Sequence, residues 1–379
     1  MKLSRSPIAQ TRRDAWTEIN LSHVEFNIRE LKKILNPDVQ IMAVVKADAY
    51  GHGATMVSKT LSASGVNMFG VAAIDEGIQL RTSDIRKPIL ILGSTPMWAL
   101  PSTLDYNLEI TIFSDSQLND CIQTAQKLNR EVIVHVKVDT GMHRIGIDYR
   151  NALGFIEKVQ SAKGIKLKGI FSHLASAEDP ETSKIQIERW NTVLAGLKNK
   201  PPYLHFGNTS GIIAYKNIHY NLVRSGIELY GMKPDLPDGI ESPLMKQVLS
   251  LKGRITHLHT ADRGEGVSYG HKYSIDKEHA VIATVPIGYA DGVSRNLSNK
   301  IYGLINGYKV PQIGSITMDQ MMFNVTGISN IHPGDIITLL GYDNDMFISI
   351  NDWANILGTI NYEISCLLKV RLPRVYTSN

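Results

Sequence analysis

Eight short apolar runs, set apart by amphipathic stretches, constrain this chain more than any other feature of its sequence. The runs are IMAVV (41–45), MFGVA (68–72), PILIL (88–92), LEITIF (108–113), EVIVHVKV (131–138), IKLKGIF (165–171), YLHF (203–206) and NLV (221–223). Helical pattern fills the gaps, as in Asp115–Leu128 and Glu181–Leu197. Eight strands alternating with helices predict an α/β fold, a parallel sheet closed as a (β/α)8 barrel. One more helix is expected ahead of the first strand. Ser22 and Glu25 read as its capping box, and Val24, Ile28, Leu31 and Leu35 share one face. Such a helix can close the outer ring by packing between the first and last strands.

After Gly231 the rhythm changes. KPDLPDG (233–239) reads as a loop. Strand-like runs follow, QVLSLKGRITHLH, HAVIATVPI, MMFNV, DIITLL and VRLPRVY, with one helical stretch at Ile350–Leu357. The expected division is a barrel domain over 1–244 and a mainly β-stranded C-terminal domain over 245–379, in keeping with a length of 379 residues. The formal charge of +4 is small and its basic residues are scattered, so no nucleic-acid partner is expected. Cys121 and Cys366 are too few and too far apart for a disulfide framework or a zinc set. The N-terminal MKLSRSPIAQTRRDAW is basic without an apolar run, unlike a secretory signal, and no run is long enough to span a membrane. A cytoplasmic protein with no membrane partner and no metal is the expectation.

Barrels of this kind carry their chemistry at the carboxyl ends of the strands. Lys46 follows the first run here. Lys137, Asp139 and Arg144 follow the fifth, His173 the sixth, His205, Asn208 and Thr209 the seventh, and Arg224 the eighth. Phosphate is often held after strands seven and eight, where the chain reads GNTSG (207–211) and SGI (225–227). Each residue alone has an ordinary explanation: a lysine snorkelling into water, a turn, a structural histidine. Together, a lysine on a buried strand end, a phosphate site and a partner for a ring nitrogen describe a pyridoxal 5′-phosphate (PLP) site.

VVKADAYGHG (44–53) resembles the PLP-lysine motif of the alanine racemases. VKVDTGMHRIG (136–146), FSHLAS (171–176), VRSGIELYG (223–231), GEGVSYG (264–270), PIGYADG (286–292), GSITMDQ (314–320) and TINYEIS (359–365) resemble further blocks of that family in the same order. The resemblance covers essentially the whole chain. It implies Lys46 as the Schiff-base lysine and Tyr269 as an opposing base, supplied by the other subunit of a head-to-tail homodimer. It implies Arg224 at the pyridine nitrogen, and Tyr50, Thr209, Gly226, Ile227 and Tyr362 at the phosphate, with His173 and Asn208 beside the cofactor. Arg144 and the Met318 backbone would bind the carboxylate of an amino-acid substrate. Lys137 would be a carbamylated support for Arg144, His173 would support the tyrosine and His205 would support Arg224. The implied activity is interconversion of L- and D-alanine, supplying D-alanine for peptidoglycan.

Two bases on opposite faces are what racemisation requires: one removes the α-proton and the other returns it. Departures from the family pattern fall at Asp48, Thr209, Thr317 and His143. None removes a catalytic group, but those near the carboxylate leave the preferred side chain open. A broader racemase acting on serine is the alternative. A barrel decarboxylase would not need Tyr269 as a second base, and a PLP-carrying barrel without activity would not need the β domain. A plain barrel binding some other phosphate remains the simplest competing reading.

Overall fold

The computed structural model describes residues 13–368 and 371–378, so the reading of the first twelve residues lies outside the described residues. The eight predicted runs form eight parallel strands: Gln40–Val44, Met68–Val71, Ile89–Ser94, Glu109–Ile112, Val132–Asp139, Ile165–Phe171, Tyr203–His205 and Leu222–Ser225. The first strand pairs with the second on one side and with the eighth on the other, and pairing continues in sequence order to the seventh. Seventh and eighth strands are joined by isolated bonds instead. The Arg224 N–H donates to Gly207 O at 3.2 Å, and the Leu204 N–H donates to Asn221 Oδ1 at 2.8 Å. The result is a nearly closed barrel.

Alternation along these strands sorts the side chains. Ile41, Ala43, Phe69, Val71, Ile89, Ile91, Ile110, Val134 and Val136 join the main apolar cluster with residues of the surrounding helices. Met42, Met68, Leu90 and Leu222 form a separate small cluster. They hold the alternate positions on the first, second, third and eighth strands, so they fill one side of the barrel interior. The fourth, fifth and seventh strands, with Arg224 of the eighth, place buried polar groups at those positions: Glu109, Thr111, His135, Lys137, His205 and Arg224. Half of the interior is therefore oily and half is charged or polar.

The helix ahead of the barrel spans Leu21–Ile34 and buries Val24, Ile28 and Leu31. Its cap differs from expectation. Asn20 accepts from the His23 N–H at 3.2 Å, whereas Ser22 lies inside the first turn, so Ser22 and Glu25 form no capping box. The helix packs against Ala54–Ala63 and the turn Ile227–Tyr230, which follow the first and last strands. Asp115–Leu128 is a helix as predicted, capped by Ser114, and Pro180–Gly196 is capped by Asp179.

The second sheet has ten strands and is largely antiparallel. Its path runs His257–Asp262, His279–Val285, Met321–Asn324, Tyr308–Ile313, Tyr302–Ile305, Ile336–Asp343, Leu249–Arg254, Ala15–Asn20 and Arg374–Thr377, with Met346–Ile348 beside Ile336–Asp343. Ala15–Asn20 pairs antiparallel with Leu249–Arg254 and parallel with Arg374–Thr377. The chain thus enters the second sheet before it enters the barrel, and a cut near residue 245 does not describe that strand. Two short helices follow, Ile350–Leu357 and Asn361–Leu367, and the second lies against the turn after the first barrel strand.

Candidate active site

Lys46 begins the loop that leaves the first strand. The next four residues, Ala47, Asp48, Ala49 and Tyr50, have φ between 52° and 54°. They make one turn of left-handed helix, a conformation that costs roughly 1–2 kcal/mol per residue. The surroundings hold it. The Ala47 N–H donates to Glu76 Oε1 and the Ala54 N–H to Asp48 Oδ1, each at 2.7 Å. Arg374, from the last strand, pairs with Asp48 at 3.0 Å and donates to Gly51 O at 2.9 Å. Gly51 lies so close to the helix Asn361–Leu367 that a Cβ there would fall 2.2 Å from Ser365 O. This turn sets Lys46, half-buried, at the mouth of the barrel. Burial lowers its pKa, with Arg144 adding to the effect.

Arg224 is buried at the end of the eighth strand. Nη1 donates to His205 Nδ1 at 3.0 Å and to His205 O at 2.9 Å. Nη2 donates to Ser172 O at 2.6 Å, Phe206 O at 3.0 Å and His173 Nδ1 at 3.2 Å. Nε–H is left as the guanidinium donor with no acceptor among the described residues. Burial pushes the pKa down to about 9, which keeps the group cationic at neutral pH.

A guanidinium only donates, so it fixes every proton downstream of it. His205 Nδ1 must accept, so its Nε2 carries the hydrogen and donates to His135 Nδ1 at 3.0 Å. His135 Nε2–H then donates to Glu109 Oε2 at 2.9 Å. Glu109 also binds Lys168. The fifth and seventh strands are separated by the sixth, and Gly169 makes room between them: a Cβ there would meet His135 Nδ1 at 2.4 Å. Burial holds His135 and His205 below the ordinary histidine range, in accord with two neutral rings. Burial raises Glu109, but its bonds from His135 and Lys168 outweigh that, and the carboxylate stays ionised. By the same logic His173 Nδ1 accepts from Arg224 and its Nε2 carries a proton. Asn208 Nδ2, 3.5 Å from that nitrogen, is a contact between two donors.

The loops after strands seven and eight meet beside these groups. Asn208 caps the short helix Thr209–Ala214 by accepting from the Gly211 N–H at 3.0 Å. The Gly226 N–H lies 3.2 Å from Thr209 Oγ1. A Cβ on Gly226 would sit 3.3 Å from the Tyr50 hydroxyl and 3.5 Å from Thr209 Oγ1. Tyr50 packs between Tyr230 and Tyr362, with ring centroids at 5.1 Å and 5.9 Å. Burial pushes Tyr50 and Tyr362 above the ordinary phenol range, so both remain donors. The Tyr50 and Tyr362 phenols, the Thr209 hydroxyl and the Gly226 amide lie close together, with Ile227 next in the chain.

The β domain places its predicted residues elsewhere. Tyr269, on the turn Tyr269–His271, is 72% exposed and Met318 is 52% exposed. Tyr269 lines an open cleft of about 810 Å³ with Glu265, His271, Thr317 and Gln320, and no residue of the Lys46–Arg224 cluster shares it. Arg144 is exposed on the barrel side, near enough to depress Lys46 and Lys137.

Residues 19–234 match the alanine racemase N-terminal domain family and residues 248–376 the alanine racemase C-terminal domain family. The chain belongs to the alanine racemase family. It is 41% identical over 375 residues to an alanine racemase of Nostoc sp., covering 95% of each. Against that of Synechocystis sp. it is 40% identical, covering 96% of this chain and 99% of the relative. Its fold matches the alanine racemase of Clostridium difficile 630 with a TM-score of 0.92 at 35% identity, over 98% and 97% of the two chains. It matches that of Bacillus anthracis with bound L-Ala-P at 0.90 and 32%, over 97% and 96%. Alanine racemases are isomerases of a PLP-dependent family, and alanine racemase function is what this chain carries.

Within this family fold, Lys46, Tyr50, His173, Asn208, Thr209, Arg224, Gly226, Ile227 and Tyr362 gather at one rim, while Tyr269 and Met318 stand apart from it. Sequence reasoning missed Glu109, His135 and Lys168, which complete the hydrogen-bonded line behind Arg224. The signal was present: His135 and Lys137 alternate within an otherwise apolar strand, and Glu109 interrupts another. Among the described residues no helix is long and apolar enough to cross a membrane.

Proposed function

We propose that this chain interconverts L- and D-alanine using PLP at the barrel mouth, with Lys46 and the Tyr269 of a second copy as the two bases. One observation carries the reading. A partly desolvated lysine, a cationic arginine with one free donor, and a converging set of phenol, hydroxyl and amide donors share one rim. That set fits PLP. Lys46 suits the aldehyde, Arg224 the ring nitrogen, and Tyr50, Thr209, Gly226, Ile227 and Tyr362 the phosphate, with His173 and Asn208 alongside.

PLP supplies, when bound, the electron sink that makes a Cα–H acidic enough to ionise near neutral pH. The lowered pKa of Lys46 leaves a larger share of neutral amine to accept a proton at Nζ on one face and return it. The Tyr269 hydroxyl serves the other face. Its exposure and its separation from the Lys46 cluster support a head-to-tail homodimer, in which each barrel rim receives the partner's tyrosine. His173, its tautomer fixed by Arg224, keeps an Nε2–H to direct at that hydroxyl. Arg224 keeps its own proton, so toward a bound ring nitrogen it would act only as a hydrogen-bond donor and would not protonate it. Arg144 and, from the second copy as for Tyr269, the Met318 backbone then hold the substrate carboxylate. Lys137, whose pKa burial lowers to about 7, is an amine available for carbamylation next to Arg144. We further assign the activity to the cytoplasm and its D-alanine to peptidoglycan synthesis.

Single enantiomers of alanine, serine and larger amino acids, supplied to PLP-loaded protein and followed by chiral chromatography, test this. Inversion of alanine in both directions, absent in Lys46→Ala, is expected. No inversion of either alanine enantiomer contradicts the proposal, and faster inversion of serine moves the substrate.

A further inference from the structure

The cradle after strands seven and eight contains a carboxyl group that the reading above does not use. Glu228 follows Gly226 and Ile227 on the turn Ile227–Tyr230 and is fully buried. Its Oε2 accepts from the Thr209 hydroxyl, and from the Gly226 N–H at 3.2 Å. These are two of the donors assigned to the phosphate. Its Oε1 is buried with no partner in bonding geometry among the described residues, and the neighbouring Ser225 hydroxyl lies near enough to act on the carboxyl. A buried acid in an apolar setting with an orphaned oxygen is an expensive feature unless that oxygen has a use.

The groups facing Glu228 come from three elements. Tyr50 reaches it from the left-handed turn, Tyr362 from the helix Asn361–Leu367, and Tyr230 from its own turn. All three phenols are pushed upward and stay neutral. Burial raises the pKa of the carboxyl above the ordinary carboxylate value, although hydrogen bonds from Thr209, Ser225 and the Gly226 and Glu228 amides work against it, and no cation is among the groups that act on it. An anion arriving here would meet an acceptor that already holds two donors and carries the same sign of charge.

We propose that Glu228 belongs to the phosphate site as a neutral acid, so that a phosphate monoester binds there only with the Glu228 proton in place. The protonated carboxyl resolves both problems. It no longer repels the anion, and its O–H gives the otherwise unpartnered oxygen a donor role toward a phosphate oxygen. Thr209 Oγ1 and the Gly226 N–H are then free to turn to the phosphate. Binding is linked to this proton. Affinity is full below the pKa of Glu228 in the free protein and falls as pH rises through it, by up to about tenfold per pH unit.

The inference rests on the PLP assignment above, and the test separates the two. Dissociation constants of PLP and of pyridoxal, which lacks the phosphate, are measured by absorbance titration on cofactor-depleted full-length protein across pH. The proteins are wild type, Glu228→Gln and Glu228→Ala. Wild-type affinity for PLP should fall relative to Glu228→Gln by at least about tenfold between about pH 6.5 and 9, because the amide cannot ionise. Glu228→Ala should show the same flat ratio, which covers the case of a glutamine variant that fails to fold. Pyridoxal should show no such divergence. Shifts from the lysine linkage and from the phosphate's own ionisation are common to all three proteins and cancel. Parallel PLP profiles in wild type and variants overturn the role of Glu228, as does equal divergence for pyridoxal. Wild type that binds PLP no better than pyridoxal overturns the phosphate assignment and this inference with it.

Discussion

The rim of the barrel and the Tyr269 turn of the β domain are built in opposite ways. At the rim, Arg224 spends Nη1 and Nη2 on five acceptors, and the line from it to Glu109 fixes two imidazoles by donor logic alone. At the other region, Tyr269 holds its backbone carbonyl to Ser315 Oγ at 2.9 Å and leaves its side chain 72% exposed beside an open cleft. One region is finished within the chain. The other leaves its phenol apart from the Lys46 cluster among the described residues. Under the proposed two-base reading, one half of the site is organised by folding and the other by assembly.

The largest effects should strike both regions, with different side effects. Lys46→Ala is expected to abolish turnover in both directions. Tyr269→Phe should cut it by about 10²–10⁴, the usual worth of a positioned acid or base. Because Tyr269 is exposed, its variant should melt at the wild-type temperature. A Tyr269→Phe enzyme of near-normal rate would break the comparison. Arg224→Glu should lower racemisation by roughly 10²-fold, as loss of a preorganised charge does elsewhere, and raise keto-acid formation. Unchanged turnover with no new transamination would contradict the role given to Arg224.

Stability should respond to pH through the buried histidines of the barrel. Burial lowers His52 to about 4 and holds His173 and His205 well below the ordinary histidine value. The folded-state values lie below those of the unfolded chain, so below about pH 6.5 the unfolded chain binds more protons. Stability is therefore whole above that pH and is lost as pH falls, His52 alone accounting for on the order of 3 kcal/mol near pH 4. Melting temperatures from about pH 7.5 to 4.5 should fall less steeply in His52→Leu than in wild type. A wild-type melting temperature that holds or rises on acidification would count against the neutral histidines. The smallest effect concerns the tie between the two regions within one chain. Asp48→Asn removes the half-exposed pair with Arg374 but keeps an acceptor for the Ala54 N–H, so denaturant titration should show a loss of about 1 kcal/mol or less.

Much of this was legible because it is local. The barrel strands lie near the runs read from hydrophobicity, and Asp115–Leu128 and Ile350–Leu357 have the bounds their period predicts. The hairpin Tyr302–Ile305 to Tyr308–Ile313 went unread, although Asn306 and Gly307 between the strands, with φ of 52° and 78°, are the turn pair that such a hairpin favours. The place of Ala15–Asn20 could not be read at all, since its partners lie more than two hundred residues away and pairing of that range leaves no local pattern. Strand-end position singled out Lys46 and Arg224, and motif resemblance added Tyr269. It passed over Glu228 and Glu109, where this chain places an acid inside an apolar segment and only the surrounding contacts reveal why.

In the proposed homodimer each active site takes Lys46 from one chain and Tyr269 from another. Co-expressing differently tagged Lys46→Ala and Tyr269→Phe chains and purifying the mixed dimer tests it most directly. Such a dimer has one site lacking both groups and one with both intact. The account predicts about half of wild-type turnover from two nearly inactive parents. A mixed dimer as inactive as its parents would contradict it.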